Sequence, residues 1–352
     1  MVAKISFHEL VAKAHKGALS APEVGAYFKL DAAQSRAFAP KFRINYQNVD
    51  VSGLEQTAAV AGHKLAIDAG TNAASAARAV PPNGTYVAEG DSWFRLPPLI
   101  FPPTMIDDLA QAYPIDNLAH WGDTIVDILA AQQYLRFLQS GKLKFLLFSA
   151  GGNDILGDTF EQSLNLYDGA HSAPSDAPWY VKELFFTQLK LVEANYIKLI
   201  EQVRSISPTT TLVVHGYDYA RPVPHGISLG QHMEKRGLDP GDHGGLCRAI
   251  VRFMVDQFNR RLQFLAAHYT FVRYVDLRGT VHDDEWFDQE LHPAASAAQR
   301  LADKLRAPLG APQIAPLAAA GAGATASPKR PRDRPSKRRR AGNGARPAAP
   351  PA

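Results

Sequence analysis

The sequence predicts an α/β domain: a parallel sheet covered by helices on both faces, preceded by a small helical region. From residue 85 onward, short apolar runs alternate with long helix-compatible stretches, the pattern of a parallel sheet with crossover helices. One run, Lys144-Phe145-Leu146-Leu147-Phe148-Ser149, is apolar enough to be buried on both faces. Right-handed crossovers place every strand's C-terminal end on one edge of such a sheet, where ligands bind, and the polar motifs of this chain follow those ends.

The elements follow in order. Ser6-Phe7-His8-Glu9 is a capping-box pattern, with Gly17 as its stop. Ser20-Ala21-Pro22-Glu23 is a second, with proline early in the helix, where its missing N–H does no harm. Asp31-Ala32-Ala33-Gln34 starts a third helix, and the Ala-rich stretch 54–68 makes a fourth. Ala79-Val80-Pro81-Pro82-Asn83-Gly84 is turn chemistry and separates a helical region, 1–80, from the main domain, 84–306. Strands are expected at 85–89, 115–119, 144–149, 211–215 and 271–276, and helices at 124–138, 181–205, 246–267 and 295–305. Beyond Arg306 only Ala, Pro, Gly and basic residues recur, so 307–352 is expected to be disordered.

The net charge of +4 on 352 residues is unevenly placed. Nine Lys or Arg and one acid, Asp333, lie between Ser327 and Arg346; that segment carries +8 and leaves −4 on the rest. The mildly acidic body gives no basis for nucleic-acid binding. The tail offers a site for an anionic partner, the phosphates of nucleic acid or an anionic lipid, or is a solvated extension. Cys247 is the only cysteine, which excludes an intrachain disulfide. The first ten residues lack an apolar secretory core, and no run approaches the roughly 20 apolar residues of a membrane span. A cytoplasmic protein without a membrane span is expected; the sequence is silent on oligomeric state.

Four polar motifs could build one site. Gly90-Asp91-Ser92 puts a serine on a strand-to-helix turn, where it can act as a nucleophile and its N–H can face an oxyanion. Gly122, in His120-Trp121-Gly122-Asp123-Thr124, can present its N–H to a ligand. Asn153, in Gly151-Gly152-Asn153-Asp154, offers an amide donor on a glycine-rich turn. His292, in Glu290-Leu291-His292-Pro293, lies after the last strand and can be the base. Each has a plainer reading: a helix cap, a turn glycine, a turn asparagine, a structural histidine. Asp91, Trp93, Asp154 and His215 are candidates for the pocket wall, and Trp93 and Phe94 serve equally as core. His225, His232 and His243 match no metal-ligand spacing, and Cys247 reads as a buried small residue.

In their order and placement these blocks resemble the SGNH/GDSL hydrolase superfamily over residues 85–306. The resemblance implies a flavodoxin-like three-layer α/β/α sandwich with a five-stranded parallel sheet. It implies Ser92 as nucleophile, His292 as base, and an oxyanion hole from the Ser92 N–H, the Gly122 N–H and the Asn153 side chain. It implies a small-molecule carboxylic ester or thioester as substrate, and neither metal nor organic cofactor. One departure stands out. The family's orienting acid lies three residues before the histidine, and here that residue is Gln289. Asp288 lies four before, Glu290 two before, and Asp283 and Asp284 further upstream. Either Asp288 substitutes through a local bulge, which is preferred, or the site is a Ser–His dyad. Two other readings remain: an inactive adaptor of the same fold, and a nucleic-acid-associated protein recruited by its tail.

Overall fold

The computed structural model describes residues 2–31, 34, 41–76, 82–96 and 102–311. The first two helices begin at their predicted caps. In α1 (Phe7–His15) the Ser6 hydroxyl accepts the Glu9 N–H at 3.2 Å, and before α2 (Ala21–Tyr27) the Ser20 N–H donates to Glu23 at 2.9 Å. The Ala-rich stretch forms α3, longer than expected at Glu55–Ala76. Of the third expected helix, residues 32 and 33 lie outside the described residues, and Gln34 closes a turn onto Asp31.

This region is not only helical. β1 (Ile5–Ser6) pairs in parallel with β4 (Val49–Asp50), and β2 (Phe28–Leu30) runs antiparallel to β3 (Phe42–Ile44). Strands of two or three residues are too short for alternation to show in the sequence, and their partners lie far along the chain. Leu10, Val24, Phe28, Ile44 and Leu65 belong to a core of its own.

After the expected boundary, of which 79–81 lies outside the described residues, the chain reads β5 (Tyr86–Gly90), α4 (Met105–Leu109), β6 (Ile115–Asn117), α5 (Ile125–Ala131), α6 (Leu135–Gln139), β7 (Phe145–Ser149) and α7 (Gly152–Leu156). Then come α8 (Glu183–Ile206), β8 (Thr211–His215), α9 (Gly230–Glu234), α10 (Gly244–His268), β9 (Val272–Val275) and α11 (Ala295–Leu309). The helix expected at 124–138 is two helices, because Gln132 adopts φ +49° and ends α5. α11 runs past its expected end at residue 305 and past the expected domain end at 306: Leu309 is buried, and the Tyr113 hydroxyl donates to the Gly310 carbonyl at 2.8 Å. Residues 307–309 are therefore helix, and the rest of the expected tail, 312–352 with its basic run, lies outside the described residues.

All five strands of the main sheet are parallel, in the order β6-β5-β7-β8-β9. This is the flavodoxin-like 2-1-3-4-5 order, with a crevice where the first strand meets the third. The connection from β5 to β6 moves one way across the sheet and all later ones move the other way. Right-handed crossovers therefore put α4 on one face and α5, α8 and α10 on the other. α11 returns to pack on α4, which completes three layers. Every residue of β5 is buried, as a strand covered on both faces requires.

Candidate active site

The crevice between β5 and β7 is where the sequence-predicted residues gather. Gly90 ends β5 against β7 so closely that a Cβ there would lie 2.8 Å from Ser149 Cβ. Only glycine allows that approach, and Asp91 and Ser92 turn out of the sheet immediately after it. Ser92, 4% exposed, carries its Oγ 2.9 Å from His292 Nε2. The other ring nitrogen, Nδ1, lies 2.6 Å from Asp288 Oδ2.

Asp288 reaches the histidine because the loop doubles back on itself. Gln289 adopts φ +68°, the Phe287 N–H donates to the His292 carbonyl at 2.7 Å, and Trp286 bridges Pro293. Asp288 Oδ1 accepts the N–H groups of Glu290, Leu291 and His292 at 3.2, 2.8 and 2.9 Å. Burial opposes its ionisation, but the charge of His292 and hydrogen bonds from the His292 ring and from the backbone outweigh it, holding the carboxyl at about 2. Glu290 faces elsewhere: it accepts the N–H groups of Val223, Ser228, Leu229 and Gly230 and anchors that loop. The Asp283 carbonyl accepts from Arg221.

Asn153 sits at the start of α7, and its Nδ2 donates to the Asp123 carbonyl at 2.8 Å. An amide nitrogen carries two hydrogens, so one bond fixes the group and the second hydrogen is left for a ligand. Asn153 and Ser92 line one pocket of about 360 Å³ of empty space, part of it open to solvent, with Trp93, Leu156, Tyr217 and His292. Gly122, at φ +85°, lines the adjoining cleft, and Asn153 forms part of both.

Two pocket candidates are displaced. Asp154 lies on the adjoining cleft, where its carboxylate accepts the Ile125 N–H at 3.1 Å at the start of α5; burial pushes its carboxyl up to about 6. His215 is fully buried behind Trp93 and Phe94, with Nδ1 2.8 Å from the Gly216 carbonyl; burial pulls it down to about 4. Its neighbours Tyr217 and Asp218 line the pocket instead. Asp218 is buried: its carboxylate accepts the N–H groups of Gly279, Thr280 and Val281 and ties the loop after β9 to the end of β8.

His225, His232 and His243 go to separate neighbours, Glu234, Glu161 and Tyr167. Among the described residues no group of three or more His, Cys, Asp or Glu is arranged to hold a metal ion, and no helix is long and apolar enough to cross a membrane. Cys247 is buried, which pushes its thiol up to about 12.

No family model and no curated protein matches the chain. Solved structures do resemble it, many of them GDSL lipases and acylhydrolases. An extracellular lipase from Streptomyces rimosus is 16% identical, with TM-score 0.41, over 63% of this chain and 97% of that one. Phospholipase A1 from Streptomyces albidoflavus is 17% identical, with TM-score 0.39, over 63% and 97%. A GDSL-like lipase from Bacteroides thetaiotaomicron is 11% identical, with TM-score 0.39, over 63% and 86%.

Proposed function

We propose that this chain is a serine hydrolase of the SGNH/GDSL type, cleaving a carboxylic ester or thioester through an acyl-enzyme. The observation that carries the reading is the continuous relay from Ser92 Oγ through His292 to Asp288, opening onto a pocket. Ser92 attacks the ester carbonyl carbon while His292 Nε2 takes its proton. Asp288 accepts from Nδ1–H, keeps Nε2 free as the base, and stabilises the imidazolium that forms. The carbonyl oxygen gathers charge against the Ser92 N–H, the Gly122 N–H and the Asn153 amide. His292 then returns the proton to the leaving alcohol or thiol, and water, activated the same way, releases the acid and restores Ser92.

The pocket wall of Trp93, Leu156, Tyr217, Ala220 and Leu291 is apolar and suits a hydrocarbon acyl chain. Gln289 favours the inactive-adaptor reading mildly, and Asp288 against His292 supports the enzyme instead. The reading is tested with a fluorophosphonate probe and an ester panel of increasing acyl length. Wild type should be labelled once, at Ser92, and should turn over esters; Ser92→Ala should do neither. Equal labelling of a folded Ser92→Ala variant would sink the assignment.

A further inference from the structure

Beneath the nucleophile lies a second carboxylate that the reaction above leaves unused. Asp91 is 1% exposed. Its Oδ1 accepts the Trp93 N–H at 3.1 Å and the Ser149 hydroxyl at 2.9 Å; its Oδ2 accepts the Tyr217 hydroxyl; its own N–H donates to the Ser149 carbonyl at 3.0 Å. Gly152, next to Asn153, packs closely on the Tyr217 ring, where a Cβ would lie 2.8 Å from Cζ. One carboxylate thus joins the ends of three strands. β5 carries Ser92, β7 leads into the Asn153 turn, and β8 leads into Tyr217, which walls the pocket.

A cap or turn residue would need only the Oδ1 bond to Trp93. It would not need burial, nor the bonds to Ser149 and Tyr217. Burying a carboxylate is costly unless it is fully hydrogen-bonded. Burial pushes the Asp91 carboxyl up to about 6, against the hydroxyls of Tyr217 and Ser149, the Trp93 N–H and the charge of His292. The groups facing it are Ser149 from β7, Tyr217 after β8, His292 before α11 and Tyr196 from α8, whose hydroxyl donates to the Ala150 carbonyl. Asp288 faces His292 through the opposite ring nitrogen.

We propose that Asp91, as a carboxylate, is a positioning residue for the hydrolysis: it locks Ser92, the Asn153 turn and Tyr217 in one register. This rests on the serine-hydrolase reading above. Misplacement of reacting groups by about an ångström costs on the order of 10² in rate. Asp91→Asn keeps the shape, removes the charge and reverses the bond to Tyr217, since an amide nitrogen donates where Oδ2 accepted, so it is read beside Tyr217→Phe. Tyr217→Phe keeps the ring and the carboxylate and removes one of the hydrogen bonds that favour the charged form.

The test measures kcat, KM and the pH profile of kcat/KM on a soluble ester with the full chain, alongside melting temperature and the fluorophosphonate labelling rate. Asp91→Asn should lower kcat by about 10 to 10² with KM within about threefold. It should lose the acid step near pH 6 that Asp91 sets, because no carboxylate remains there to titrate. Tyr217→Phe should lower kcat less and move the acid limb to higher pH, because Asp91 then ionises less readily. Wild-type kcat and acid limbs in both variants, with only a lower melting temperature, would reduce Asp91 to a structural residue. If Asp91→Asn fails to fold, Tyr217→Phe decides alone. A wild type that neither turns over esters nor takes the probe overturns the hydrolase reading and this proposal together; a reactive wild type with indifferent variants overturns this proposal only.

Discussion

Asp288→Asn is the most direct test of the relay, because the loop dictates how the new amide must sit. Asp288 Oδ1 already accepts three backbone N–H groups. An asparagine therefore keeps its oxygen there and turns its NH₂ toward His292 Nδ1, where a donor now replaces an acceptor. Nδ1 must become the acceptor, so the proton moves to Nε2, and that tautomer cannot take the Ser92 proton. A charge is lost as well. The fall of the Asp288 carboxyl from 3.8 to about 2 corresponds to about 2–3 kcal/mol of preference for the ionised form. If all of that acts on imidazolium, kcat falls by roughly 10². The wrong tautomer raises the loss toward the roughly 10⁴ that the same change costs in a serine-protease triad. The expected result is a kcat lowered by about 10² to 10⁴, with KM changed only a few-fold, measured by initial rates on a soluble ester beside a thermal melt. A folded variant within tenfold of wild type would refute the relay. The same group sets an acid limit on stability. Its folded value is depressed, so its contribution is present above about pH 4 and is lost as pH falls through about 2; the variant should lack that step.

Asn153→Ala should lower kcat by roughly 10²–10³ with little change in KM, since an oxyanion donor strengthens only as charge develops; a change confined to KM would contradict that role. Glu89, 3% exposed in β5, is pushed by burial from 4.5 up to about 7, with the Gly90 N–H partly offsetting this. That raised value costs stability progressively as pH rises from about 4.5 through about 7, to a total of about 3 kcal/mol. Glu89→Gln should therefore melt higher than wild type at pH 8 and no higher at pH 4; equal gains at both would show that charge is not the cause. Gly90→Ala forces a Cβ to within 2.8 Å of Ser149 Cβ and should cost at least about 2 kcal/mol in denaturant unfolding, and an unchanged midpoint would contradict the close approach of β5 to β7.

The sheet was legible because its strands are continuous apolar runs alternating with helices, and crossover handedness puts their C-terminal ends on one edge. Ser92 and Asn153 were legible because each follows directly from a strand end, and His292 because it lies after the last strand. The acid was legible only as a preference for Asp288 over a Ser–His dyad, because a count of residues assumes a loop shape. The left-handed Gln289 lets a carboxylate four positions back do what the familiar spacing assigns to three, and nothing in glutamine announces φ +68°. The loop-anchoring roles of Asp218 and Glu290 were invisible for a related reason: their partners are backbone N–H groups, which carry no sequence identity. The strands of the first 50 residues escaped because a two-residue strand has no period.

Ser92 and His292 stand 200 positions apart in the chain, one at the exit of β5 and the other in the loop between β9 and α11, and meet at 2.9 Å. No fragment that stops before β9 can contain both, and no local structure can bring them together. Closing so long a loop is slow compared with forming helices, so the reactive pair should be among the last features a refolding chain acquires. Probe reactivity at Ser92 is thus a stopwatch for completion of the whole sheet. In refolding from denaturant it should lag the recovery of helical circular dichroism, and a newly synthesised chain should stay chemically silent until the segment carrying His292 has docked.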